Sequence, residues 1–283
     1  MFLIFDTETT GLPLDKNAPL TNFDNWPRMV QIAWQIHDEK GNFISAENHT
    51  IKPEGFVIPI NASMVHGITT EHAMKVGENL ESILDLFLDV IKDVKYIVGH
   101  NVRFDLNIVA CEYLRIKGIN PFRGINIIDT CSEKTADFCK LGVGRGGRHK
   151  LPGLKEIHQI LFNEGFDMAH NAAADVEATA RVFLELVRIN VLNEEEIKEG
   201  EEFFRNFKDA NPEMIKPVGI KVISNKEEET FVEEKMEIIN DNANTFIPET
   251  FTHLHVHSHF SILDGMSKVP DLIEKCTKNN MFS

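Results

Sequence analysis

Residues 1–11 read Met1-Phe2-Leu3-Ile4-Phe5-Asp6-Thr7-Glu8-Thr9-Thr10-Gly11. The apolar run that closes on Asp6 predicts a first strand, and Gly11 with Pro13 and Pro27 marks the polar loop after it. Because side chains alternate across a strand, Asp6 and Glu8 project to the same side of its end. Outward from there, residues 30–36 and 43–51 read as further strands, so the chain opens as a β-meander. The period then changes: Leu80, Ile83, Leu84, Phe87 and Ile91 fall on one face of a helix. A strand at 96–99, a helix at 103–117, a strand at 125–129 and a helix near 153–163 follow. A last helix at 172–188 carries Val176, Ala180, Phe183 and Val187 on one stripe. Strands first, then strands alternating with helices, predict an α/β domain with a mixed sheet flanked by helices.

The length of 283 residues allows one large domain or two smaller ones, and 42% hydrophobic with 26% charged residues excludes a collagen, a coiled coil or a wholly disordered chain. No apolar run reaches the roughly 18 residues of a membrane span, so no membrane partner is expected. The first apolar residues lack a basic flank and meet Asp6 at once, which is the wrong build for a signal peptide; a cytoplasmic protein is expected. Cys111, Cys131, Cys139 and Cys276 form no C-x-x-C pair, which favours reduced thiols over a disulfide framework or zinc finger. The net charge of −15 argues against a wide basic surface that would grip nucleic acid by its phosphates, but leaves room for a small metal-centred site.

Charge and composition divide the chain in three. Residues 1–190 carry a net −6, 191–250 a net −9, and 251–283 none. The expectation is an α/β domain over 1–190, an acidic solvated helix near 194–208 with a linker to 250 that includes a possible strand at 218–223, and a new unit opening at Phe251.

Two more acidic elements stand beside the first. Asp105 ends Gly99-His100-Asn101-Val102-Arg103-Phe104-Asp105, where a strand runs into a helix, and Asp175 ends His170-Asn171-Ala172-Ala173-Ala174-Asp175 at the start of the last helix. Singly, each reads as a strand-end acid, a helix-dipole acid or a cap. Together, three acidic elements from separate segments are what a two-metal phosphodiester site requires.

These residues resemble the three motifs of the DEDDh 3′–5′ exonucleases, which have a ribonuclease-H-like fold: F-D-T-E-T-T-G with Asp6 and Glu8, H-N-V-R-F-D with Asp105, and H-x-x-x-x-D with His170 and Asp175. The resemblance covers about residues 1–190. It implies that Asp6, Glu8, Asp105 and Asp175 hold two divalent metal ions, Mg²⁺ or Mn²⁺, and that His170 is the general base. It also implies a substrate surface including Thr9, Asn101 and Phe104, with Leu12 wedging the terminal bases. On physical grounds, oxygen ligands suit such ions, and a histidine with a pKa of about 6.5 can take a proton from an attacking water near neutral pH.

Other signals are weaker. Gly142-Val143-Gly144-Arg145-Gly146-Gly147 satisfies G-x-G-x-x-G, but no strand precedes it, so a dinucleotide loop is excluded on context. With Arg148, His149 and Lys150 this flexible loop is the one dense basic cluster; Arg145 and Arg148 touch either phosphates or solvent. His66 stands where similar exonucleases contact substrate, and equally where a surface turn would put it. The tail Thr252-His253-Leu254-His255-Val256-His257-Ser258-His259 resembles the start of the polymerase and histidinol phosphatase domain that opens the alpha subunit of bacterial DNA polymerase III. That resemblance makes His255, His257 and Asp264 its first metal ligands, over a truncated segment. It implies a proofreading exonuclease acting on DNA with a 3′ end, joined to a polymerase in the same chain or as a subunit, with a sliding clamp as a further partner. The rivals are an RNA-trimming exonuclease, a non-catalytic tether for a polymerase, and a phosphatase run by the tail, which lacks most of its ligands.

Overall fold

The structure, a computed structural model, describes residues 1–143, 145–165 and 171–219. The chain divides into two units, Met1–Glu229 and Thr230–Ser283, and the second lies outside the described residues. Three strands come first: β1 (Phe2–Thr9), β2 (Met29–His37) and β3 (Phe43–Thr50). Two short helices, α1 (Ile60–His66) and α2 (Thr70–Val76), precede α3 (Leu80–Asp93), β4 (Tyr96–Gly99) and α4 (Arg103–Lys117). Then come β5 (Asn126–Asp129), α5 (Glu133–Cys139), a 3₁₀ turn at Arg145–Gly147, α6 (Leu154–Phe162), α7 (Ala172–Arg188) and α8 (Glu201–Ala210).

The sheet order is β3-β2-β1-β4-β5. The first three strands pair antiparallel, while β4 lies parallel to β1 and β5 parallel to β4, so the sheet is mixed. Alternation along β1 sorts its residues between two cores. Phe2 and Ile4 pack with Val176, Ala180, Phe183 and Val187 of α7. Leu3 and Phe5 pack on the opposite face with Leu84 and Phe87 of α3 and Ile108 and Val109 of α4. The chain is thus an α/β, ribonuclease-H-like fold, and the faces read from the periodicity of α3 and α7 are the buried ones. None of the helices among the described residues is long and apolar enough to cross a membrane.

Three short helices, α1, α2 and α5, have no counterpart in the sequence reading. Each is seven residues long, and α1 leaves Ile60 and Met64 exposed, so no apolar stripe announces it. The expected helix at 194–208 is shorter and displaced, beginning only at Glu201 after Gly200. Nor is it wholly solvated. Phe207 is buried, and Leu192 and Ile197 join the same core as α7, because the aromatic residues of α8 face the sheet while its acids face solvent. Gly41 (φ 84°) permits this docking: a Cβ there would lie 3.1 Å from the Phe207 ring. Residues 218–219 form no strand, and the rest of the expected strand at 218–223 lies outside the described residues.

Beyond α8 the chain is stapled along α7. Arg181 Nε donates to the Ile215 carbonyl (3.0 Å), the Ile215 amide donates to Glu185 (2.9 Å), and the Val218 amide donates to Glu177 (2.6 Å). The three side chains are spaced four residues apart and share one helix face. A chain ended after residue 219 keeps these three contacts. A chain ended at residue 190 loses the buried Leu192, Ile197 and Phe207, each worth roughly 2–5 kcal/mol by analogy with truncation to alanine, and melts far lower. Equal melting temperatures for the two truncated chains would refute this account.

Candidate active site

Asp6 and Glu8 leave β1 on the α7 side of the sheet, and each is set by its partner across the strand, Ala33 and Gln31 respectively. Gln31 does more than pair. Its side-chain oxygen accepts the Ala172 amide (3.2 Å), the first residue of α7, and the Asn171 side chain caps that helix by accepting the Ala173 amide (3.1 Å). Asp175, one turn in, is thereby placed opposite Glu8. Asp6, Glu8 and Asp175 offer carboxylate oxygens all within 4.8 Å of one another.

Asp105 arrives from the other face of the sheet. Its Oδ1 accepts both the backbone N–H (3.0 Å) and the hydroxyl (2.7 Å) of Thr7, the one β1 residue between the two acids, which points toward α4. Asp129, at the end of β5, holds the turn before α4: its Oδ1 accepts the amides of Asn101 (2.8 Å) and Cys131 (2.8 Å), and Asn101 takes a left-handed conformation (φ 60°). His100 bridges Thr130 Oγ1 (2.9 Å) and the Pro152 carbonyl (3.1 Å), and burial pushes its pKa down to about 4, so it is a neutral spacer. Sequence reasoning missed Thr7, Gln31 and Asp129. Asp129-Thr130 at a strand end, like Asp6-Thr7, was the available signal.

The acids are held against their own repulsion. Burial, then the charges of Asp105, Asp175 and Glu8, pushes the Asp6 carboxyl well above its ordinary range. Burial, then Asp175 and Asp105, pushes Glu8 up to about 8. Burial raises Asp105 to about 7 against the Thr7 hydrogen bonds, which favour its ionised form. A convergent, oxygen-only donor set with no cation of its own among the described residues fits Mg²⁺-like or Mn²⁺-like ions, which replace that repulsion with attraction.

The linkage has a definite sign. Carboxyls whose folded pKa is raised contribute stability that is complete below about pH 4.5 and is lost as pH rises toward about 8. The metal-free protein is expected to melt at a lower temperature at about pH 9 than at about pH 6, and the gain in melting temperature on adding Mg²⁺ or Mn²⁺ to grow across that interval. Scanning fluorimetry with EDTA or metal at each pH measures it; a metal increment that shrinks as pH rises contradicts the assignment.

Of the other expected residues, Leu12 stands 82% exposed beside a half-buried Phe104, and both line a cleft with Asn101. Thr9 donates its hydroxyl to the Gly11 carbonyl (2.7 Å), shaping the loop that carries Leu12. His66 is not on a surface turn: it is buried at the end of α1, its Nδ1 accepting the Ile68 amide (3.1 Å) as the chain reverses through Gly67 (φ 78°). Arg148 is exposed but paired with Glu133, and Arg145 belongs to the adjacent 3₁₀ turn. His170, His255, His257 and Asp264 lie outside the described residues.

A ribonuclease-H-like sheet with clustered carboxylates at the end of its first strand defines a nuclease-type centre. A model of the exonuclease family matches residues 3–183, a span containing all four acids, and the chain belongs to that family. Enzymes of this kind use divalent metal ions. Among solved structures, the chain is similar to E. coli exonuclease I in complex with a dT13 oligonucleotide, at 22% identity over 70% of this chain and 41% of that one, with a TM-score of 0.51. For the dA16 complex the values are 22%, 70%, 44% and 0.53, and for the zinc-bound complex with single-stranded DNA 24%, 67%, 40% and 0.51. The chain thus spans less than half the length of these proteins, and the likeness is one of fold. No curated protein matches the sequence.

Proposed function

We propose that this chain is a metal-dependent 3′–5′ exonuclease that hydrolyses DNA one nucleotide at a time. The observation that carries the reading is the set of Asp6, Glu8 and Asp175 oxygens within 4.8 Å of one another, next to a cleft that opens on Leu12 and Phe104. Two Mg²⁺ or Mn²⁺ ions bound there would supply positive charge to both oxygens of an in-line displacement at phosphorus. Asp6, Glu8, Asp105 and Asp175 would hold those ions, with Asp105 oriented by Thr7. His170 takes a proton from the attacking water. The bond between phosphorus and the 3′ oxygen breaks, that oxygen ends protonated on the shortened strand, and a nucleoside 5′-monophosphate leaves. Leu12 and Phe104 separate the terminal bases, and Thr9 and Asn101 border them.

DNA is favoured as substrate by the tail, whose His255, His257 and Asp264 match the opening ligands of a polymerase-associated domain. That match supports a proofreading role for a replicative, cytoplasmic DNA polymerase, carried in the same chain or as a subunit, with the sliding clamp as a further partner. The oligonucleotides bound to exonuclease I support a single-stranded end as the entering species. The test is a 5′-labelled single strand incubated with Mg²⁺: a ladder shortening from the 3′ end, faster for a mispaired than a paired primer terminus, is expected. Early release of the label as a mononucleotide, or preference for RNA of the same sequence, would overturn the reading.

A further inference from the structure

The dense basic loop is not the free cationic surface near the site. Arg148 pairs with Glu133, His149 with Asp137 (2.9 Å) and Lys150 with Glu156 (2.6 Å), so its charge is largely neutralised within the fold. Two other cations are different. Lys16 and Arg103 make no ion pair or hydrogen bond from their side chains among the described residues, and both line a cleft of about 610 Å³.

The cleft is built by the segments that carry the acids. One wall is the loop that follows the end of β1 at Thr9, the residue after Glu8, and includes Leu12, Leu14 and Lys16. The other is the first turn of α4, where Arg103 and Phe104 immediately precede Asp105. Trp26, buried and anchored by its Nε1–H to the Pro19 carbonyl (3.1 Å), backs the cleft between them. The volume falls within the roughly 300–1,000 Å³ of sites for small ligands. Its chemistry is that of a single-stranded nucleic acid track: aliphatic and aromatic surface for base faces, which are available only when unpaired, and cations for phosphates. In a chain of net charge −15, unneutralised cations at this place offset the repulsion a polyanion meets on approaching four carboxylates.

We propose, on the basis of the exonuclease reading, that this cleft holds the strand on the 5′ side of the scissile phosphodiester, with Lys16 and Arg103 contacting its backbone phosphates and Leu14 supporting its bases. Lys16 and Arg103 are then the residues that set affinity for single strands, and the basic loop is not. The experiment is the salt dependence of binding of a fluorescent dT oligonucleotide in EDTA, where no turnover occurs. Lys16→Gln with Arg103→Gln weakens binding at least about tenfold at low salt and flattens the slope of log K against log salt by about 1.4, at about 0.7 per phosphate contact. The charge-preserving pair Lys16→Arg with Arg103→Lys keeps the wild-type slope, which a merely structural role would not require. Both positions are on the surface, and an unchanged melting temperature accompanies the loss. If the slope instead falls when Arg148 and Lys150 are replaced by Gln, the phosphates are held by the loop and the proposal is overturned. An unchanged slope at Lys16 and Arg103 in a chain that does shorten DNA from its 3′ end overturns the cleft alone. A wild-type chain that neither binds nor shortens the strand overturns the exonuclease reading and the cleft with it.

Discussion

Alanine at Asp6 or at Asp175 is expected to leave less than about a hundredth of the metal-dependent rate of strand shortening, a loss of at least about 2.7 kcal/mol of transition-state stabilisation. Each substitution removes one of three oxygen donors that lie within 4.8 Å of one another. Asp105, held by Thr7, is already part of the acidic set, so among the described residues no spare acid stands beside it. The same group is a burden on the fold. Burial and three neighbouring carboxylates oppose the charge of Asp6, so its pKa is raised and ionisation at about pH 8 destabilises the metal-free protein. Asp6→Asn is therefore expected to raise the melting temperature in EDTA at about pH 8 while abolishing turnover. Opposite movements in activity and stability mark an acid retained for chemistry rather than for packing. More than about a tenth of the wild-type rate in either alanine variant, or a lower melting temperature for Asp6→Asn, contradicts the assignment.

The parts of the fold that were legible in the sequence are those where periodicity and burial coincide. Along α3 the five apolar residues at helical spacing are the five buried ones, and α7 begins and ends where its stripe does. The acids were legible for a different reason. Each stands at the end of a strand or in the first turn of a helix, and three such elements share one chemistry. What could not be read was the support. Thr7 looks like any strand threonine, yet its amide and hydroxyl fix Asp105; Gln31 looks like a polar strand residue, yet it ties α7 to β2 opposite Glu8. Those roles depend on contacts more than 90 residues apart, which no local pattern encodes. The acidic segment after residue 190 misled for the same reason: its acids were conspicuous, while Phe207 is buried against the β2–β3 turn at Gly41, a contact distant in sequence. In the basic loop the density of cations was legible and their pairing was not: Arg148, His149 and Lys150 stand beside Glu133, Asp137 and Glu156.

His170→Ala is expected to lower turnover by roughly 10²- to 10⁴-fold, the usual contribution of a positioned general base. The argument starts from position. In the sequence, residue 170 directly precedes Asn171, the cap of α7, and lies five residues before Asp175. Among the described residues the donors that converge are carboxylates from β1 and α7. Metal affinity measured by calorimetry should therefore stay within about twofold of wild type in the variant. The pH profile separates the roles further. A base of pKa about 6.5 must be neutral to accept a proton, so in the metal-loaded enzyme the rate should rise through that region and then level. In the alanine variant this limb is expected to vanish, leaving a low, flat rate, because carboxylates already bound to cations no longer titrate there. Were the metals lost together with the imidazole, the residue would be a ligand. Were the limb to persist in the variant, the proton would be going to another group, and the resemblance that brought His170 forward would have assigned the wrong base.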